Sequence, residues 1–261
     1  AGGLAAGGLA GVRLRLLEGG LLEARLARGK VNALDGGLLA DVRAALELAA
    51  GAAQVRGVLL AGAGPCFSAG LDLQAVHGLL QGPRAALVEF GFGAMPGAFL
   101  APPRCPKPVA AAVEGHCIAG GLVLALAADY AALAPGGHRL GLTELAVGVP
   151  FPEEPLRLVQ HQLPAAAVRS LVFEAALLPP AEAHGLGVAD CLQEDARAAA
   201  LAWLRRMTTP GRPAGAFAAT KRAYWAPVLD APPPSAAARA LWLDQISACK
   251  DVVGGYLARK P

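Results

Sequence analysis

Two short stretches of small residues carry the chemistry this sequence can offer. Gly120 and Gly121 stand between an apolar run, residues 108–113, that reads as a buried strand, and residues 122–128, which read as a helix apolar on every side. Glycine lets a ligand approach the backbone closely because no Cβ stands in the way. The first amides of a helix lack internal partners and lie at the positive end of its dipole. Bare N–H groups of that kind can receive an oxygen that turns negative during a reaction. Tight packing calls for the same glycine pair, so the residues alone leave both readings open. The second stretch, residues 62–73, also follows a strand. Phe67 occupies the place of the third glycine of a dinucleotide fingerprint, no Gly-Lys-Ser/Thr follows, and Cys66 precedes Ser68 where a nucleophile elbow has glycine. A third turn, residues 139–149, carries Glu144, which by itself reads as a solvated loop carboxylate.

The elements that must position these turns follow from periodicity. Residues 12–17 and 21–27 flank Glu18-Gly19-Gly20 as a hairpin, and residues 28–34 form a loop. Asp35 caps a helix running to about Ala50, with Leu38, Leu39, Val42 and Leu46 as its apolar stripe. Strands are expected at 55–61, 129–133 and 187–192, and helices at 84–95, 153–163 and 165–177, the first ended or kinked by Pro96. This β-α-β-α order implies an α/β fold with mostly parallel strands. From Asp195 onward the pattern is helical, broken at 210–213 and 231–234, which divides the chain into a core, 12–194, and a helical region, 195–261.

Composition narrows the function. The chain has 261 residues, 55% of them hydrophobic and 16% charged, which argues for a large interior or for subunit interfaces. A net charge of +3 without any Lys/Arg block excludes nucleic acid as a partner. Five cysteines without zinc spacing read as reduced thiols of a cytoplasmic protein, with no metal site. No uninterrupted apolar run reaches about 18 residues, so no membrane span is expected. Residues 1–11 read as a low-complexity tail and not as a signal peptide.

The segments Phe67-Ser68-Ala69-Gly70-Leu71-Asp72-Leu73 and Gly115-His116-Cys117-Ile118-Ala119-Gly120-Gly121 together resemble the crotonase (enoyl-CoA hydratase/isomerase) superfamily. Lys30-Val31-Asn32-Ala33-Leu34 resembles its N-terminal motif, residues 141–150 its catalytic-glutamate segment, and residues 181–190 a further family segment. The resemblance implies a spiral of ββα units with a C-terminal helical trimerisation region, hence a homotrimer or homohexamer. It implies an acyl-CoA substrate and no permanently bound cofactor, coenzyme A being part of the substrate. The thioester oxygen would be held by the amides of Leu71 and Gly120. Lys30, Ala33, Ala69, Gly70, Leu71, Gly121, Tyr256 and Lys260 would line the CoA site, with Arg28, Lys221 and Arg259 as further candidates for its phosphates.

Family hydratases use two glutamates, and this chain departs from them. The position two residues after the glycine pair is Val123, which can neither accept a proton nor orient water. Glu144 matches the second glutamate. The pattern resembles the Δ3,Δ2-enoyl-CoA isomerases, in which one base takes a proton from C2 and returns it at C4. Leu142, Leu145, Val147 and Val149 can supply the apolar setting that lifts a carboxyl toward neutrality. A hydratase, another CoA-thioester reaction (hydrolase or lyase) and a non-catalytic acyl-CoA-binding protein are the competing expectations. Acyl-chain length is not readable, because the residues expected near it, 73–95, follow no fixed pattern.

Overall fold

The computed structural model describes residues 9–258; Lys260, Arg259 and most of the expected N-terminal tail lie outside the described residues. The chain winds as successive β-β-α turns. The first holds β1 (Val12–Leu17), β2 (Leu21–Leu26) and the helix Gly36–Gly51. The next two hold β3 (Gly57–Gly62), β4 (Cys66–Ser68) and the helix Leu73–Gln81, then β5 (Val109–Val113), β6 (His116–Ile118) and the helix Gly120–Leu126. The fourth holds β7 (Tyr130–Leu133), β8 (Leu140–Gly141) and the helix Glu153–Gln162, and β9 (Cys191–Leu192) closes the series. Strands of one kind stack into a six-stranded sheet in the order β1-β2-β3-β5-β7-β9, those of the other into a three-stranded sheet, β4-β6-β8. Among the described strands every strand-to-strand pairing but the β1–β2 hairpin is parallel. This is the expected crotonase-like α/β spiral.

Alternation along the strands fills both faces of the large sheet. Leu22, Val58, Leu60, Val109, Ala111, Val113 and Leu133 face the main core. Leu21, Leu59, Ala110, Ala112 and Ala132 face the other way, onto Ala200, Leu201 and Leu204 of the helix Ala196–Met207. The alanines on this second face are what let that helix lie close.

Three expectations change in detail. Pro96 does not end the helical run that begins at Arg84: a π-turn over Phe90–Ala94, in which the Met95 N–H reaches back to Phe90 O, carries the run on to Phe99. The extra residue in that turn relieves the register around a ring that has no N–H to give. The helix expected to reach 177 stops at Phe173, and Ala175 takes a left-handed φ of 51°. The strand expected over 187–192 is only Cys191–Leu192. The apolar side chains of the C-terminal helices are largely used within the chain, since Leu201, Leu204, Trp225, Trp242 and Ile246 are buried, while Leu241 is well exposed.

Candidate active site

The three-stranded sheet explains why distant residues meet. β4, β6 and β8 run parallel and side by side, so their C-terminal ends lie on one edge, and the turns that leave them carry Leu71, Gly120 and Glu144. Small parallel sheets commonly receive ligands at this edge. A cavity of about 510 Å³ opens there, lined among others by Val31, Ala33, Ala69, Leu71, Glu144 and Leu257. A smaller chamber of about 20 Å³ continues inward past Leu71, Gly120 and Glu144 to Val123, Met95, Phe99, Phe151 and Trp242.

The Leu71 amide is aimed by a short bridge between two loops. Leu34 N–H donates to Gly70 O at 2.8 Å and Asp72 N–H donates to Leu34 O at 3.1 Å. In that parallel arrangement the N–H of the intervening Leu71 points away, toward the cavity, and it has no acceptor among the described residues. Gly120 opens its helix, so its amide is one of the orphan donors, and it too has no acceptor among the described residues. Ala119 before it holds φ 51° and ψ −127°, a conformation costly for alanine by roughly 1–3 kcal/mol. This turn sets the direction of the Gly120 N–H. Gly70, at φ +84°, lets the two turns touch: a Cβ there would lie 2.7 Å from Ala119 Cβ and 3.3 Å from Gly120 N.

Asn32 and Ser68 brace this arrangement from beneath. Asn32, fully buried with φ 51°, points Nδ2 at the carbonyls of Ala63, Cys66 and Phe67, and its Oδ1 accepts from Arg28 N–H. The Ser68 hydroxyl donates to Asn32 O at 2.7 Å and accepts from Gly70 N–H at 3.2 Å. The motif around Asn32 was visible in the sequence, but its bracing role depends on loops that only the fold brings together.

Glu144 begins a short 3₁₀ turn, Leu145–Val147. Its Oε2 is buried with no hydrogen-bond partner among the described residues, and burial pushes its carboxyl up from 4.5 to about 7. No cation faces it as an ion-pair partner among the described residues. Val123 is buried and lines the same inner chamber, so a hydrocarbon wall stands where a second carboxylate would have to reach.

The other expected residues sort themselves out by position. Ala33 and Ala69 line the outer cavity, and Lys30 is exposed next in the chain to Val31, which lines it too. Gly121 lines neither cavity: it is buried against Ser68, where a Cβ would lie 2.5 Å from Ser68 O. It is the packing glycine of the pair. Tyr256 lies in the helix Lys250–Ala258, but its side chain, like all of Lys260, falls outside the described residues. Lys221 is buried and donates to Asp129 at 2.7 Å and to Lys107 O, which removes it from any role at CoA phosphates. Arg28 is paired with Asp35. Glu153 is paired with Arg157, and Asp72 caps the helix Leu73–Gln81.

Comparison with known proteins gives a consistent picture. Residues 17–257 match the family model described as enoyl-CoA hydratase/isomerase. The chain is 31% identical over 198 residues to cyclohexa-1,5-dienecarbonyl-CoA hydratase of Thauera aromatica, an alignment covering 71% of this chain and 69% of the relative. It is 31% identical over 191 residues to a probable enoyl-CoA hydratase of Mycobacterium avium, covering 72% of each. Among solved structures, human mitochondrial Δ3-Δ2-enoyl-CoA isomerase superposes with a TM-score of 0.86 at 26% identity, over 95% of this chain and 97% of that one. An enoyl-CoA hydratase/isomerase from Mycobacterium paratuberculosis superposes with a TM-score of 0.80 at 20% identity, over 94% and 98%.

Proposed function

The chain belongs to the enoyl-CoA hydratase/isomerase family, and from that premise we propose that it moves the double bond of a 3-enoyl-CoA to the 2 position with Glu144 as the sole proton carrier. The observation that carries this reading is the inner chamber itself, lined by one carboxylate, Glu144, whose Oε2 has no partner among the described residues, and by the apolar Val123. The Glu144 carboxylate takes a proton from C2, and the electrons of that C–H bond spread into the thioester carbonyl to give a dienolate. The Leu71 and Gly120 amides receive the developing oxyanion, each such donor contributing roughly 3–4 kcal/mol to the transition state. The protonated Glu144 then returns the proton at C4, C2=C3 forms, and the thioester carbonyl is restored. No step requires a second base or an activated water. The likeness to a structure titled as an isomerase supports this reading, while relatives named as hydratases keep water addition as the competing outcome.

In this reading the pantetheine arm lies in the outer cavity against Ala33, Ala69 and Leu257, and the exposed Lys30 ammonium meets a CoA phosphate. Supplying hex-3-enoyl-CoA and hex-2-enoyl-CoA separately tests the proposal. The expected product of the first is hex-2-enoyl-CoA, with water addition to the second slower by at least about two orders of magnitude, the loss typical when a positioned proton-transfer group is absent. Rapid formation of 3-hydroxyhexanoyl-CoA from the 2-enoyl thioester would refute it.

The helical region 195–261 is proposed to assemble the chain as a homotrimer or dimer of trimers. Tyr224, Leu241 and Val252 of that region remain 52–63% exposed on the protomer, which favours a covered face. Light scattering at micromolar concentration is expected to give a mass of three or six chains; a monomer mass would overturn it.

A further inference from the structure

The inner chamber ends on a tryptophan supplied by the C-terminal helices. Trp242, in the helix Ala236–Ala248, is buried and closes the chamber together with Met95, Phe99 and Phe151. Its ring is held on three sides. The indole Nε1–H donates to Pro150 O at 3.0 Å. Phe92 meets it edge-on with ring centroids 5.3 Å apart, and the Arg239 guanidinium lies over the outer side of Phe92. Gly91, in the π-turn, offers no side chain where a Cβ would lie 2.7 Å from Trp242 Cζ3 and 2.9 Å from Cη2.

A ring pinned in this way does not swing aside freely. Moving it would break a part-buried hydrogen bond and open a gap beside Gly91 and Phe92, and close-packed interiors resist both. The space in front of it is about 20 Å³, on a scale where a single water needs roughly 10–15 Å³. The first few acyl carbons beyond the thioester fill that room, and further carbons would collide with the indole.

We propose that Trp242 is the specificity-determining residue that limits this protein to short acyl chains. The inference rests on the reading that the inner chamber receives the acyl group, and it assigns the substrate class within that reading. It also gives the π-turn a purpose, since the turn carries Gly91 and Phe92 against the ring.

Calorimetric binding of saturated acyl-CoAs tests the limit without any turnover. Butyryl-CoA and hexanoyl-CoA are expected to bind at least about tenfold tighter than decanoyl-CoA, since a mismatch of even one methylene in an apolar pocket shifts recognition by roughly 10–200-fold. Trp242→Ala is expected to tighten decanoyl-CoA by about tenfold or more and to leave butyryl-CoA within a few-fold. Trp242→Phe, which keeps an aromatic ring against Phe92, is expected to fall between, and it serves if the alanine variant does not fold. Equal affinity of the wild-type protein for butyryl- and decanoyl-CoA, or an unchanged chain-length ratio in the variants, would overturn the proposal. If the chain-length step is found but 3-enoyl-CoAs are not isomerised, the isomerase reading fails and the Trp242 limit stands. If no acyl-CoA binds at all, both fall.

Discussion

Glu144→Gln is expected to lower isomerase turnover by about 10²–10⁴-fold, the usual loss when a positioned base is removed, while acyl-CoA affinity changes only a few-fold. Glutamine keeps the size and shape of the side chain but cannot take the C2 proton. Affinity survives because the thioester oxygen is held by the Leu71 and Gly120 amides and not by the carboxylate. Glu153→Gln and Glu154→Gln, on the neighbouring helix and lining neither chamber, are expected to retain activity. A dead Glu153 or Glu154 variant beside an active Glu144→Gln would place the base on that helix instead. The pH dependence carries the same signature. In the proposed reaction Glu144 works as its carboxylate, and burial lifts that carboxyl to about 7, so kcat/KM should rise with pH and level off above an inflection near 7. Stability moves the opposite way. The folded carboxyl is raised from 4.5 to about 7, so the folded state binds the proton more tightly than the unfolded chain. Folding is favoured at low pH, and that advantage is lost as pH climbs through this window. Glu144→Gln should therefore be more stable than wild type at pH 8, by about 1–2 kcal/mol after allowing for the partner its amide still lacks, and not at pH 4. Urea unfolding at the two pH values measures the difference.

Replacing the Leu71 amide by an ester, so that the backbone N–H becomes an oxygen, is expected to reduce turnover by about 10²–10³-fold, the cost of one oxyanion donor. The same replacement at Gly120 should give a similar loss. The double replacement should leave little activity above background. Proline at position 120 would be a blunter probe. It would restrict Ala119, which needs its left-handed φ of 51°, and it would place a Cβ 3.1 Å from Phe99 Cζ. An ester removes the donor and leaves the turn in place. An ester protein that folds and turns over at the wild-type rate would remove Leu71 from the oxyanion site.

Much of this site was legible because its residue types are chemically singular. The glycines at 70 and 120 sit at strand-to-turn junctions and Glu144 stands in an apolar neighbourhood, yet alone they read equally as packing glycines and a solvated carboxylate. The resemblance of their segments to the crotonase family is what nominated the Leu71 and Gly120 amides and Glu144. The apolar Val123 was equally plain, and it counted against the two-glutamate pattern of the family's hydratases. What stayed hidden depends on contacts between segments far apart in the chain. Gly120 and Gly121 look equivalent in sequence, yet one opens the helix toward the cavity and the other is buried under Ser68. Lys221 looks like any cationic residue, and only the fold shows its buried partnership with Asp129. Trp242 reads as generic apolar surface on a C-terminal helix. Its position at the end of the acyl chamber follows from how that helix crosses Phe92 and Pro150. Even the strands were foreseen better than their lengths, because 187–192 lacks the run of apolar residues that would extend its pairing beyond Cys191 and Leu192.

The central claim is that one carboxylate carries one proton from C2 to C4, and isotope transfer tests it most directly. With 3-enoyl-CoA deuterated at C2 and turned over in ordinary water, mass spectrometry and NMR of the early product should find deuterium at C4 well above the natural background. The retained fraction should vanish together with the activity in Glu144→Gln. A 2-enoyl-CoA product with no deuterium at C4 even in the earliest turnovers, or deuterium transfer that persists in the Glu144→Gln protein, would contradict a single shuttling base at Glu144.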